Sequence, residues 1–252
     1  MIDLYKFIKL GVVLMILPIL SASAQKKDLA YYQCAFYESY RAGNMAPWPG
    51  LIAEMEKAKS TDLTWQTEMV KAMYGLVGYQ LGAKNKDLAR AYVDKADVYL
   101  EKLLKKYPLN ARLHSLSGAF YGYKIALTFY KTPFWGPKSM YHIEKSIELD
   151  PDEPSGYIEK GNSLLYRPAV FGGDKVQALV YYKKALKLIE AHNNQKCNWQ
   201  QMLLRAFILK GLYETDQLEE ANAFMQEMQK DYGSMDWIKA FVGADLIDGK
   251  LL

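Results

Sequence analysis

The residues with the most chemical potential lie between positions 120 and 137. Phe120-Tyr121-Gly122-Tyr123 is followed by Phe129-Tyr130-Lys131-Thr132-Pro133-Phe134-Trp135-Gly136-Pro137, the densest aromatic stretch in the chain. Aromatic side chains dominate both cores and binding surfaces, so this stretch reads either as a hydrophobic plug over a helix end or as a ligand-contacting wall. Phe134 and Trp135 are its candidate contact residues. His114, His142 and His192 lack metal-ligand spacing, and neither His-Glu-x-x-His nor Gly-x-Ser-x-Gly occurs. The sequence therefore offers no catalytic signature, and neither a metal nor a cofactor is expected. Arg167-Pro168-Ala169-Val170-Phe171-Gly172-Gly173-Asp174-Lys175 is not a phosphate loop, which needs Lys and Ser or Thr at fixed spacing after a strand. Its glycines make a turn, and Asp174 caps the next helix.

The elements that position these residues belong to an ordinary folded chain. Its 252 residues are 50% hydrophobic and 24% charged, which excludes disordered and collagen-like classes. The 32 basic and 28 acidic residues are interspersed, as in Glu54-Met55-Glu56-Lys57, so the basic stripe of a nucleic-acid binder is absent. Residues 1–24 read as a signal peptide: Lys6 and Lys9, an apolar run from Leu10 to Leu20, then Ser21-Ala22-Ser23-Ala24. Cleavage after Ala24 leaves residues 25–252 as one domain, periplasmic or secreted. The run is too short to span a bilayer, which takes ~20 apolar residues, and no later stretch is long enough. Cys34 and Cys197 are separated by 163 positions. In a linear array residues that far apart lie several repeats from each other, so both read as small buried hydrophobes rather than as a disulfide.

The array itself is visible as a period of 43. Gly75, Gly118 and Gly161 are 43 residues apart, as are Pro108 and Pro151. Small or apolar residues recur four and three positions apart in Ala96, Leu100, Leu103; in Ser139, Ile143, Ser146; in Ala178, Tyr182, Ala185; and in Ala221, Met225, Met228. That spacing puts each trio on one helical face, where a small residue lets the partner helix approach. The pattern predicts five helical hairpins: 28–42 with 49–59, 62–82 with 86–106, 110–131 with 137–149, 153–166 with 174–191, and 197–213 with 216–231. Expected N-caps are Asn110, Asp152, Asp174 and Asp216. A last helix over 234–248, with Trp237, Ala240, Phe241, Ala244 and Ile247 at helical spacing before Gly249, would cap the array. No strands are expected.

Ile143-Glu144-Lys145-Ser146-Ile147-Glu148-Leu149-Asp150-Pro151 followed by Pro154-Ser155-Gly156-Tyr157 and Gly161 resembles the tetratricopeptide repeat family. The resemblance spans roughly residues 60 to 232 and implies an all-α solenoid. The family period is about 34 residues, and the extra residues here fall between the two helices of a hairpin, as in Leu81 to Arg90 and Lys124 to Lys138. In that family the first helix of each pair lines a concave groove. Register from the three glycines then implies Gln80, Tyr123 and Tyr166 as equivalent groove positions, joined by Tyr79, Arg112 and Asn162. Such a face suits a protein or extended peptide partner, or a polar-apolar small ligand, with Arg112 as a carboxylate contact. The loop at 167–175 also resembles the T component of TRAP transporters, which implies the alternative of an extracytoplasmic receptor for a small organic solute. The leading expectation is thus an exported, non-enzymatic scaffold.

Overall fold

The computed structural model describes residues 27–192 and 196–242. The expected signal peptide, and Ala244, Ile247 and Gly249 of the expected last helix, lie outside the described residues. Within them the chain forms α1 (Leu29–Arg41), α2 (Trp48–Lys57), α3 (Leu63–Gly82), α4 (Lys86–Lys106), α5 (Ala111–Leu127), α6 (Thr132–Leu149), α7 (Pro154–Leu165), α8 (Lys175–His192), α9 (Trp199–Glu214), α10 (Leu218–Tyr232) and α11 (Asp236–Val242). Short 3₁₀ turns at Phe129–Lys131 and Ala169–Phe171 enter α6 and precede α8. The fold is the expected all-α array of helical hairpins, without strands among the described residues.

The helix starts follow local chemistry. Asp28, Asp62, Asn85, Asn110, Asp174 and Asn198 each accept a hydrogen bond from the backbone N–H three residues on, which satisfies an otherwise orphaned donor. Two expected caps are displaced by one residue. Pro154 forces its predecessor into extended backbone, so Glu153 (ψ 115°) caps α7 in place of Asp152. Asp216 adopts φ 60°, a left-handed conformation that closes α9, and Gln217 becomes the first flank of α10. The largest local difference is at α6, which begins at Thr132 rather than at 137 and carries Pro137 inside it, while α5 stops at Leu127. Pro133 and Pro137 are both exposed, so the carbonyl that Pro137 leaves without an N–H partner faces water.

The 43-residue period is a packing period. A Cβ at Gly75 would lie 2.7 Å from Trp48 Cζ3 and one at Gly118 would lie 2.7 Å from Ile143 Cγ1. One at Gly161 would collide with the Tyr182 ring. Each glycine is where the first helix of a hairpin accepts a large side chain from a neighbour. Ala96, Ala178 and Ala185 are completely buried, as the close-approach pattern requires.

The expectation for the cysteines is overturned: Cys34 and Cys197 form a disulfide, with Cα atoms 4.8 Å apart. The reason is curvature. Small rotations between successive hairpins accumulate until α1 returns to α9. Tyr40 lies 5.7 Å from Trp199 and 5.0 Å from Trp237, ring centre to ring centre, and Trp48 lies 5.1 Å from Trp199. Residues at the two ends thus share one seam. Tyr37, Tyr40 and Leu203 pack against both halves of the core.

Candidate functional site

The predicted groove residues divide into three groups. Tyr123 and Asn162 are brought together inside the curl. The Tyr123 hydroxyl donates to the Tyr74 carbonyl at 3.1 Å. Asn162 Nδ2 donates to the Tyr74 hydroxyl at 3.3 Å and to Glu159 at 3.1 Å, while its Oδ1 accepts from the Tyr182 hydroxyl at 2.7 Å. Glu159, which sequence reasoning missed, is only 6% exposed. Burial pushes its carboxyl up to about 7 against the hydrogen bonds from Asn162 and Tyr74. Desolvation likewise raises the Tyr74, Tyr123 and Tyr182 phenols. The arrangement is a satisfied polar knot within the wall of the curl.

The second group remains accessible. Tyr79 and Gln80 occupy the last turn of α3, with Tyr79 46% exposed. Tyr166 follows α7, is 58% exposed, and meets Phe207 edge-on at 6.4 Å. The third group is Arg112, at the opposite end of α5 from Tyr123. Eleven residues of helix separate them by about 16 Å. Arg112 is already paired, its guanidinium donating to Glu153 at 2.8 Å. The pair lines a cleft of about 180 Å³ with Thr64, Thr67, Asn110 and Asp150.

The aromatic stretch does not plug a helix end. Phe129, Tyr130 and Phe134 project into solvent, Phe134 at 72% and Tyr130 at 77% exposure, and Trp135 is half-buried beneath the Lys131 ammonium, 5.2 Å from its ring centre. Val170 and Phe171 on the neighbouring α7–α8 turn are exposed too. Arg167 Nη2 lies 3.1 Å from Met140 Sδ, which holds that turn beside α6. From Tyr121 to His142 the chain carries three lysines and no acid. The result is a surface of rings and aliphatic groups carrying Lys131 and Lys138, while Lys124 is ion-paired with Asp97 of α4.

A histidine pair adjoins this surface and was not legible from spacing. His114 on α5 is buried, and its Nδ1 lies 3.0 Å from Nδ1 of His142 on α6. His114 Nε2 lies 2.9 Å from the Pro108 carbonyl. The Tyr121 ring stacks on His142 at 5.8 Å and 21°, and Tyr141 meets it edge-on at 5.3 Å. Burial and the neighbouring His114 hold the His142 imidazole down to about 4. The signal that could have revealed the pair is the Gly118 close approach. Ser139 Oγ donates to the Gly118 carbonyl at 2.8 Å, and one turn away in this antiparallel hairpin 114 and 142 must meet. Among the described residues there is no group of three or more His, Cys, Asp or Glu able to hold a metal ion. Nor is any described helix long and apolar enough to cross a membrane.

No protein-family model matches the chain, and no curated protein matches it. Among solved structures, the HusA haemophore from Porphyromonas gingivalis is similar, with a TM-score of 0.61 and 18% identity over 76% of this chain and 96% of that one. At that identity the likeness is one of fold.

Proposed function

We propose that this chain is an exported, non-enzymatic binder that captures a small planar ligand, apolar over its faces and carrying carboxylates, as tetrapyrroles do. The observation that carries this reading is the α5–α6 surface, where Phe129, Tyr130, Phe134 and Trp135 stand beside Lys131 and Lys138 with no acid among them. Exposed rings supply stacking area and lysines supply carboxylate partners. The shared fold with a protein described as a haemophore supports the same ligand class. The reading follows the solute-receptor expectation rather than the peptide-groove one, because Tyr123, Asn162 and Arg112 are committed to partners within the chain. Export rests on residues 1–24, and the resemblance to tetratricopeptide proteins rests on the Ile143–Pro151 motif with Pro154, Tyr157 and Gly161 after it.

The test is a titration of the chain, beginning at Gln25, with metal-free protoporphyrin followed by absorbance and fluorescence quenching. Saturable binding should be lost or weakened at least tenfold in the double variant Phe134→Asp with Trp135→Ala, at unchanged helical circular dichroism. Full binding by that variant would sink the proposed location. The peptide reading retains one specific support, the exposure of Tyr79 and Tyr166. It would take over if a polypeptide partner were captured by the chain and lost on Tyr79→Ala with Tyr166→Ala.

A further inference from the structure

With both imidazoles neutral, the contacts of His114 and His142 fix where their ring protons sit. A carbonyl oxygen only accepts, so the 2.9 Å contact with Pro108 places a proton on His114 Nε2. In the neutral imidazole that leaves His114 Nδ1 as an acceptor. The 3.0 Å contact between the two Nδ1 atoms then requires His142 Nδ1 to donate. His142 Nε2 is therefore left with a bare lone pair. Metal-ligating imidazoles are commonly prepared in this way, with one nitrogen donating to a fixed acceptor so that the other presents its lone pair in a set orientation. Here the acceptor is a buried histidine, itself anchored to the backbone.

The surroundings of that lone pair select the kind of metal species. Trp135, Lys138 and His142 recur at intervals of three and four residues on one stripe of α6, and Lys131, the N-cap four residues before Trp135, continues it with its ammonium 5.2 Å from the Trp135 ring centre. Tyr121 flanks the stripe from α5, with the Lys138 ammonium 5.8 Å from its ring centre. Lys124, 4.6 Å from the same ring, is ion-paired with Asp97 of α4, so Lys131 and Lys138 are the ammonium groups offered to a ligand. A hydrated cation would find one nitrogen beside the ammonium groups of Lys131 and Lys138. A metal held in a flat anionic ring system would find a nitrogen for its open axial position, aromatic faces for its rim and ammonium groups for its carboxylates. His142 and Trp135 are seven residues apart, about 10 Å along the helix, a span such a ring system can bridge.

We infer that His142 Nε2 is the axial ligand for the metal of a carboxylate-bearing metallomacrocycle lying along the stripe formed by Lys131 and by Trp135 and Lys138 of α6, with His114 as the positioning residue. The inference rests on the ligand class proposed above and adds to it a dependence on the metal. Iron lowers its free energy by accepting the imidazole lone pair, so the metal-bearing ligand binds more tightly than its metal-free form.

The experiment compares iron(III) protoporphyrin with metal-free protoporphyrin on the full chain and on His142→Ala and His142→Asn. The chain as it exists should bind the ferric form at least tenfold more tightly and give the electronic and paramagnetic spectra of nitrogen ligation. Both variants should lose that signature and the ferric preference, keep metal-free affinity within about twofold, and regain the signature when free imidazole is added. His114→Gln should weaken the ferric preference while leaving a nitrogen-ligated spectrum. If His142→Asn is folded and keeps the signature, or if the chain binds both forms equally, the axial role is overturned while the ligand class survives. If neither form binds, the ligand class and the axial role both fall.

Discussion

Breaking the Cys34–Cys197 bond by a double change to serine should lower stability markedly without altering the native helices. The bond closes a loop of 163 residues. In the chain-entropy treatment a loop of that length removes about 17 cal/mol/K from the unfolded ensemble, or about 5 kcal/mol at 25 °C. Strain or residual structure in the unfolded chain reduces the figure, and measured losses for native bonds run about 2–5 kcal/mol. An unfolding entropy of about 2.1 cal/mol/K per residue over a domain of this size converts 5 kcal/mol into a fall of roughly 10 °C in Tm. The ring contacts of Tyr40, Trp48 and Trp199 remain at the seam, so native circular dichroism should persist at room temperature. The assay is calorimetry of both chains without reductant. A difference below about 2 °C would refute the reasoning, because the ends would then be held together in the unfolded ensemble without the bond.

Two further expectations concern the wall of the curl. The folded-state pKa of Glu159 is raised from 4.5 to about 7. Its contribution is therefore full below about pH 4.5 and is lost as pH rises through 7, amounting to about 3 kcal/mol. Urea midpoints at pH 5 and 8.5 should fall for the natural chain and stay level for Glu159→Gln, and equal falls would discount the group. At Gly161 a methyl would meet the Tyr182 ring, which is fully buried, stacked on Phe207 at 5.5 Å and hydrogen-bonded to Asn162. Gly161→Ala should cost about 1–3 kcal/mol of overpacking, offset by about 1 kcal/mol of helix propensity. Gly122→Ala, with nothing within 4 Å of the added carbon, should be neutral or stabilising, and a reversed order in thermal melts would reject the close-approach role of the period.

What could be read from the sequence was local. Asx caps, prolines after α4 and α6, and trios such as Ala178, Tyr182 and Ala185 each act over a few residues, and they located the helices closely. Pro137 misled because proline normally marks a helix start or stop, whereas here exposure makes its missing hydrogen bond tolerable. The remaining features depend on angles that accumulate across hairpins. The Cys34–Cys197 bond, the Glu159 knot and the crowding of Tyr40, Trp199 and Trp237 follow from small inter-repeat rotations that no single motif encodes. The His114–His142 contact lies between these cases, since it needs only the register of one hairpin.

The seam also governs how the chain reaches its folded state. In an open array, folding can begin in any repeat and spread outward, and the terminal repeats fray independently. Here the packing of Trp48 against Trp199, and of Tyr40 against Trp237, joins segments more than 150 residues apart, and these contacts form only once the intervening hairpins already have their curvature. End-to-end closure is therefore a late, non-local step, slower than hairpin formation. Once closed, α1 and α11 are tied to each other and to α9, so neither of these described end helices peels away alone. Opening must break the seam first, so a protease attacking the folded chain is limited by that one event rather than by gradual erosion from the ends.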